Sequence, residues 1–294
     1  MRSLRAAWRL LRMLLHLLHG MAVMAWRFPS LDTAGRQRRI QWWSAGLLRV
    51  AGLQLQVSGT PRSGATLLVA NHVSWLDIAA IHAVAPQARF VSTVYHGLPR
   101  DLYTLQPQPG EYFAFLGRIS AEKRVDLAIE IAQRLQIPLK IAAKIDRADQ
   151  AYWDEMIAPL VRANPNVEYV GEINERQKEA FLGNAAALLF PIDWEEPFGL
   201  VMIEAMACGT PVIAFRAGSV PEVIDHGQSG FIVSNIDEAV AAVERALELP
   251  RAGVRAVFDK RFTARRMASD YVDIYRASAA RRRIAASDVQ AIAV

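Results

Sequence analysis

Two glutamates, Glu196 and Glu204, stand eight residues apart around the run PFGLVMIEAMACG at 197–209. That run reads as a turn entering a helix, with Glu196 before the first turn and Glu204 about one turn inside. A carboxylate only accepts hydrogen bonds, so each suits a hydroxyl-rich ligand: Glu204 a ribose, Glu196 a transferred sugar. Glutamates at a helix start also arise simply to compensate the helix dipole. The free N–H groups at Phe198, Gly199 and Leu200, with that dipole, favour a phosphate. Upstream, GRISAEK carries Arg118 and Lys123 five residues apart. At a strand-to-helix turn such a pair clasps a diphosphate, Arg as a fork and Lys as a point charge; on a solvated face it does nothing. A third set is His72 and Asp77 in NHVSWLD at 71–77, a base with a carboxylate to fix its tautomer.

These residues need strand ends to carry them. Apolar runs at 112–116, 139–143, 167–170, 187–190, 211–214 and 231–233 alternate with helical patterns at 121–135, 152–161, 175–182, 200–207, 221–224 and 236–247. Asn174 is placed to cap the third of these helices. Strand and helix in alternation predict an α/β fold with a doubly wound, Rossmann-like parallel sheet, which binds ligands at the carboxyl ends of its strands. Arg118, Lys123, Glu196 and residues 198–201 all fall at that edge. Before them, 53–57 alternates like a half-buried strand and 66–70 (TLLVA) reads as a buried one, so His72 would emerge at a strand end and Asp77 near a helix start.

Taken in order, these motifs, with PEVI at 221–224 and GQSGFIV at 227–233, resemble family 4 of the GT-B glycosyltransferases, whose retaining members share the E-x7-E spacing of Glu196 and Glu204. The resemblance covers about 93–276, the donor-binding C-terminal domain of such enzymes. It implies that Arg118 and Lys123 bind the donor diphosphate, with Phe198, Gly199 and Leu200 contributing backbone. It also implies that Glu196 contacts the sugar and Glu204 the ribose of a nucleotide-diphosphate sugar. No cofactor and no metal are implied, because those cations and the helix N-terminus neutralise the leaving diphosphate. Only 93–105 resembles the end of the acceptor-binding domain, so donor binding is expected with transfer left incomplete.

The first third is written differently. From 1 to 92 there are eleven Arg, two Asp and no Lys or Glu, about +9, which leaves about −4 of the total +5 for the rest. The run LLVANHVSWLDIAAIHAVAPQARFVS at 67–92 resembles the first block of the 1-acyl-glycerol-3-phosphate acyltransferases. The resemblance implies a base role for His72 oriented by Asp77, although the family's later blocks are absent. Residues 13–26 are apolar apart from His16 and His19, shorter than the ~20 residues of a bilayer span, and flanked by arginines. They suit a helix lying in an anionic membrane interface, or a buried amphipathic helix.

Three segments are therefore expected: an acyltransferase-like fragment at 1–92, a glycosyltransferase donor-binding domain at 93–276, and a frayed or weakly helical tail at 277–294. Alternatives are a membrane-associated acyltransferase using His72 and Asp77, or a non-catalytic nucleotide-sugar-binding fusion or joined fragment. The expected partners are a nucleotide-diphosphate sugar and, through residues 1–39, an anionic membrane surface, with no nucleic acid. The single Cys208 cannot form an internal disulfide, which fits a reducing compartment and a cytoplasmic, peripherally membrane-bound protein.

Overall fold

The computed structural model describes residues 2–59, 75–88 and 91–290. The chain divides into two compact units, Met1–Ser92 and Thr93–Val294.

In the first unit, α1 (Arg2–Trp26) leads through a 3-10 turn at Phe28–Ser30 to α2 (Thr33–Ala51), followed by α3 (Trp75–Val84). Asp32 caps α2 by accepting from the Gly35 N–H at 2.8 Å, and Gly52, at φ 81°, ends it in the left-handed conformation. The helices α1 and α2 meet where small residues let them approach. Gly20 lies under the Trp43 indole and Gly46 under the His16 ring, so a methyl group at either would collide. His16 Nε2 donates to the Trp43 carbonyl at 2.9 Å, and Trp43 Nε1 donates back to the His16 carbonyl at 3.2 Å. The remaining surface of α1 leaves Leu10, Leu14, Leu15, Leu18, Met21 and Trp26 exposed.

Residues 53–57, expected as a strand, are exposed and irregular, and among the described residues they pair with no strand. His72 and the strand expected at 66–70 lie outside the described residues. Asp77 sits in the first turn of α3, where a carboxylate suits the helix dipole.

The second unit is built on six parallel strands: β1 (Tyr112–Arg118), β2 (Leu139–Lys144), β3 (Val167–Gly171), β4 (Ala185–Phe190), β5 (Val212–Phe215) and β6 (Gly230–Val233). Their order in the sheet is β3-β2-β1-β4-β5-β6. Between them run α4 (Val125–Leu135), α5 (Gln150–Tyr152), α6 (Ala158–Ala163), α7 (Glu175–Gly183), α8 (Leu200–Ala207) and α9 (Val220–Val223), with α10 (Ile236–Leu247), α11 (Arg251–Arg261) and α12 (Ala264–Gln290) after β6. Both sheet faces are buried. Phe113, Phe115, Leu139, Ile141, Leu189 and Ile213 face one core with Ile129 of α4 and Val243 of α10. Ala114, Leu188, Phe190 and Val212 face the other with Met202 and Met206 of α8 and Phe258 of α11. Apolar residues at every position are what a strand covered on both sides requires.

One local expectation needs correction. The helix expected at 121–135 is broken: a 3-10 turn at Ala121–Lys123 is followed by Arg124 at φ 52°, and only then by α4. The Arg124 guanidinium holds that left-handed kink by bonding Asp126 at 2.8 Å and Asp193 at 3.5 Å. The helix expected at 152–161 contains a π-helical turn at Trp153–Ile157. Helix α12 runs on through most of the 277–294 tail, which was expected to be frayed or weakly helical. The Cys208 thiol is fully buried, and burial pushes its pKa up to about 12, so it is a packing group rather than a nucleophile.

Candidate functional site

The strand order reverses direction between β1 and β4, the point at which an open parallel sheet leaves a crevice outside its carboxyl ends. The register makes the crevice concrete. β1 stays paired to β2 as far as Arg118 with Lys144, but its pairing with β4 stops at Ala114 with Leu188. Beyond that point the two central strands part. A cavity of about 140 Å³ opens there, lined by Leu116, Gly117, Lys123, Glu196, Gly199 and Leu200 among others. That is below the roughly 300–1,000 Å³ of a pocket enclosing a whole small molecule, so this notch suits one part of a larger ligand.

Lys123 reaches the notch from the loop after β1, and Glu196 from the loop after β4. Their side chains are hydrogen-bonded, Lys123 Nζ donating to Glu196 Oε2. The same oxygen accepts from Trp194 Nε1 at 2.8 Å, and the Lys123 ammonium lies 5.0 Å from the Trp194 ring centroid. The two loops are also joined by backbone, the Asp193 N–H donating to the Glu122 carbonyl at 2.9 Å. On the far side, the Glu196 carbonyl accepts from the Ser219 N–H at 2.9 Å, and Gly218, at φ 49°, packs so closely that a Cβ would overlap the Glu196 backbone.

Gly199 supplies the turn into α8. It adopts φ 73°, the left-handed region glycine enters without penalty, and a Cβ there would meet Met202 at 2.7 Å. The first turn of α8 thus faces the notch at Gly199, Leu200 and Val201. Phe198 stands just before this turn with its ring buried against His96 and Phe262 at centroid distances of 4.9 and 6.1 Å. Its side chain serves the core, leaving only its backbone near the site.

Arg118 and Glu204 are placed differently from this group, and neither lines the notch. Arg118 ends β1 half exposed, bonded to Glu122 at 2.7 Å, with Asp146 at 3.9 Å and Asp149 at 4.0 Å. Glu204 is buried in α8 and paired with Lys178 of α7 at 2.9 Å. Trp194, Lys178 and Gly218 were not singled out from sequence. Trp194 had one available signal, its position two residues before Glu196. For Lys178 and Gly218, 26 and 22 residues from their partners, local sequence carries none.

A family model described as Glycosyl transferases group 1 matches residues 104–263, which contain the whole β1–β6 sheet. N-acetyl-alpha-D-glucosaminyl L-malate synthase of Bacillus anthracis is 27% identical over 226 residues, 70% of this chain and 59% of that protein. A glycogen synthase of Mycobacterium tuberculosis is 32% identical over 164 residues, 53% of this chain and 38% of that one. The chain thus spans less than two thirds of the length of either relative. Among solved structures, HepE of Anabaena, crystallised with UDP and glucose, superposes with a TM-score of 0.58 at 19% identity, over 80% of this chain and 67% of that one. A glycosyltransferase of avilamycin A biosynthesis gives 0.54 at 24%, over 62% and 56%.

Proposed function

Since this chain belongs to the group 1 glycosyl transferases, we propose that the crevice between β1 and β4 binds a nucleotide-diphosphate sugar for retaining glycosyl transfer, as in family 4 of the GT-B enzymes. The observation that carries this reading is the meeting of Lys123, Glu196 and the first turn of α8 at one notch. A diphosphate set there gains the α8 N–H groups and the Lys123 ammonium, with Arg118 nearby at the end of β1. The sugar then falls beside Glu196. In the reaction the bond from the anomeric carbon to the diphosphate oxygen breaks and the electron pair leaves with the phosphate, while an acceptor hydroxyl oxygen bonds the same carbon with configuration kept and passes its proton to the departing phosphate oxygen. Charge accumulates on the leaving phosphate, where cations and helix N–H groups held in place beforehand lower the barrier most. The solved neighbour with UDP and glucose supports a nucleotide-sugar ligand.

Calorimetric titration of the intact chain with UDP-, GDP- and ADP-sugars tests the reading. Saturable binding of one of them is expected, and binding of none would reject it.

We also propose that the first unit rests on an anionic membrane surface. The exposed leucines and Trp26 of α1 lie beside Arg9, Arg12 and Arg27, with no acidic residue in that helix. Among the described residues no helix is long and apolar enough to cross a membrane, which leaves a helix lying in the interface as the arrangement that satisfies both charge and apolar surface.

A further inference from the structure

We propose that Lys178 is a positioning residue of the donor site, fixing the Glu204 carboxylate so that one of its oxygens is held and the other meets the ribose. The inference rests on the role given to Glu204 above.

Glu204 sits in α8 among Met202, Ile203, Ala205 and Met206, all buried, and is itself 7% exposed. Enclosing a carboxylate in this way is costly unless a cation and hydrogen bonds accompany it. Lys178 supplies both, its ammonium lying 2.9 Å from Glu204 Oε1 and 3.1 Å from Glu175 Oε2. Glu175 in turn accepts from the Tyr103 hydroxyl, and Glu179, one residue beyond Lys178, accepts from the Thr104 N–H at 2.8 Å. Helix α7 is therefore anchored on both sides of Lys178 to the segment at 103–104. Its start is fixed as well, by a capping box between Asn174 and Gln177. Burial pulls the Lys178 pKa down, but its bonds to Glu204 and Glu175 outweigh that and hold it above the ordinary lysine value.

The geometry of the cation matters. An ammonium is a point charge that engages one carboxylate oxygen, whereas a guanidinium fork takes both. With Lys178 on Oε1, the second oxygen keeps its lone pairs for a hydroxyl. Since α7 follows directly on the end of β3, this chain of side chains lies at the carboxyl edge of the sheet, where a nucleoside would extend from the notch.

The experiment measures ribose discrimination: the affinity of the intact chain for whichever of UDP, GDP and ADP binds tightest, divided by that for its 2′,3′-dideoxy analogue. Wild type is expected to prefer the ribose form by about tenfold, the range for a hydrogen bond to a charged group. Lys178→Met is expected to bring the ratio near one while leaving pyrophosphate affinity unchanged, an outcome that general loosening of the fold would not produce. Should Lys178→Met fail to fold, Lys178→Arg keeps the charge, and its fork is expected to lower the ratio too. A wild-type ratio in the folded variant, with Glu204→Ala reduced to near one, overturns the Lys178 inference alone. A wild-type ratio in Glu204→Ala, or no ribose preference in the wild type, overturns the role of Glu204 and this inference with it.

Discussion

Lys123 Nζ donates to Glu196 Oε2 across the β1/β4 crevice, joining residues 73 positions apart in the chain. The cation suited to a diphosphate and the carboxylate suited to a sugar therefore satisfy one another. A ligand that carries both an anionic diphosphate and a hydroxyl-bearing sugar offers each a replacement partner at once; phosphate alone or sugar alone offers only one. In the proposed exchange Trp194 would keep the carboxylate in place, because its indole N–H holds Glu196 Oε2 at 2.8 Å independently of Lys123.

The two glutamates are expected to separate by ligand. Glu196→Ala releases Lys123 from its partner, so binding of the free nucleoside diphosphate should be unchanged or tighter while the sugar-bearing donor binds more weakly. Glu204→Ala should weaken nucleoside and nucleoside diphosphate alike, because its proposed contact is with the ribose. Titration of both variants with the free nucleotide checks this. Equal losses in the two, with folding intact, would exclude the assignment.

Arg118 is held by Glu122, Asp146 and Asp149 at distances from 2.7 to 4.0 Å and must exchange part of that company to meet a diphosphate. Arg118→Ala is expected to cost about 1–3 kcal/mol of nucleoside-diphosphate binding, the range for a charge-assisted hydrogen bond, and nothing for the nucleoside. Nucleoside-diphosphate affinity equal to wild type would show that its partners are those three carboxylates alone.

Elements with their own punctuation were legible in the sequence. Helix α10 begins after Asn235, whose side chain accepts from the Glu238 N–H at 2.9 Å, and α8 lies between two positive-φ glycines, Gly199 and Gly209. Local residue types state such ends, so both helices match the expected bounds. The kink at Arg124 was not legible, because a non-glycine in the left-handed region is held there partly by Asp193, 69 residues away. Arg251 was missed for the same reason. It is buried with no carboxylate beside it among the described residues, donating to the carbonyls of Gln106, Gly183 and Ala185 at 2.6 to 2.9 Å, partners that only the folded chain assembles. At the site, local spacing identified the groups at the strand ends, but pairing across the crevice and across α7 and α8 depends on sheet order, which spacing does not encode.

Gly218→Ala should act on Glu196 without touching its side chain. Position 218 has φ 49°, and an added Cβ would overlap the Glu196 backbone. The left-handed strain alone predicts a loss of about 1–3 kcal/mol in stability, measurable by denaturant unfolding. Displacement of Glu196 further predicts weaker binding of the nucleotide sugar than of the free nucleotide in the folded variant. A variant as stable as wild type, with unaltered donor binding, would show that this loop yields freely.

The surface of α1 gives the last test. Leu14 and Leu18 are one turn apart and each about half exposed, and Trp26 at the end of the helix is 84% exposed. Burying such side chains at a lipid boundary contributes on the order of 25 cal/mol per Å² of apolar surface, while the arginines of α1 and α2 add an attraction to anionic head groups that salt screens. The intact chain is expected to sediment with vesicles containing phosphatidylglycerol and far less with pure phosphatidylcholine. The double substitution Leu14→Ser and Leu18→Ser should reduce sedimentation at every salt concentration, because it removes apolar area rather than charge. A chain beginning at Thr93 should not sediment. Undiminished sedimentation of either would mean that the lipid contact lies elsewhere than α1.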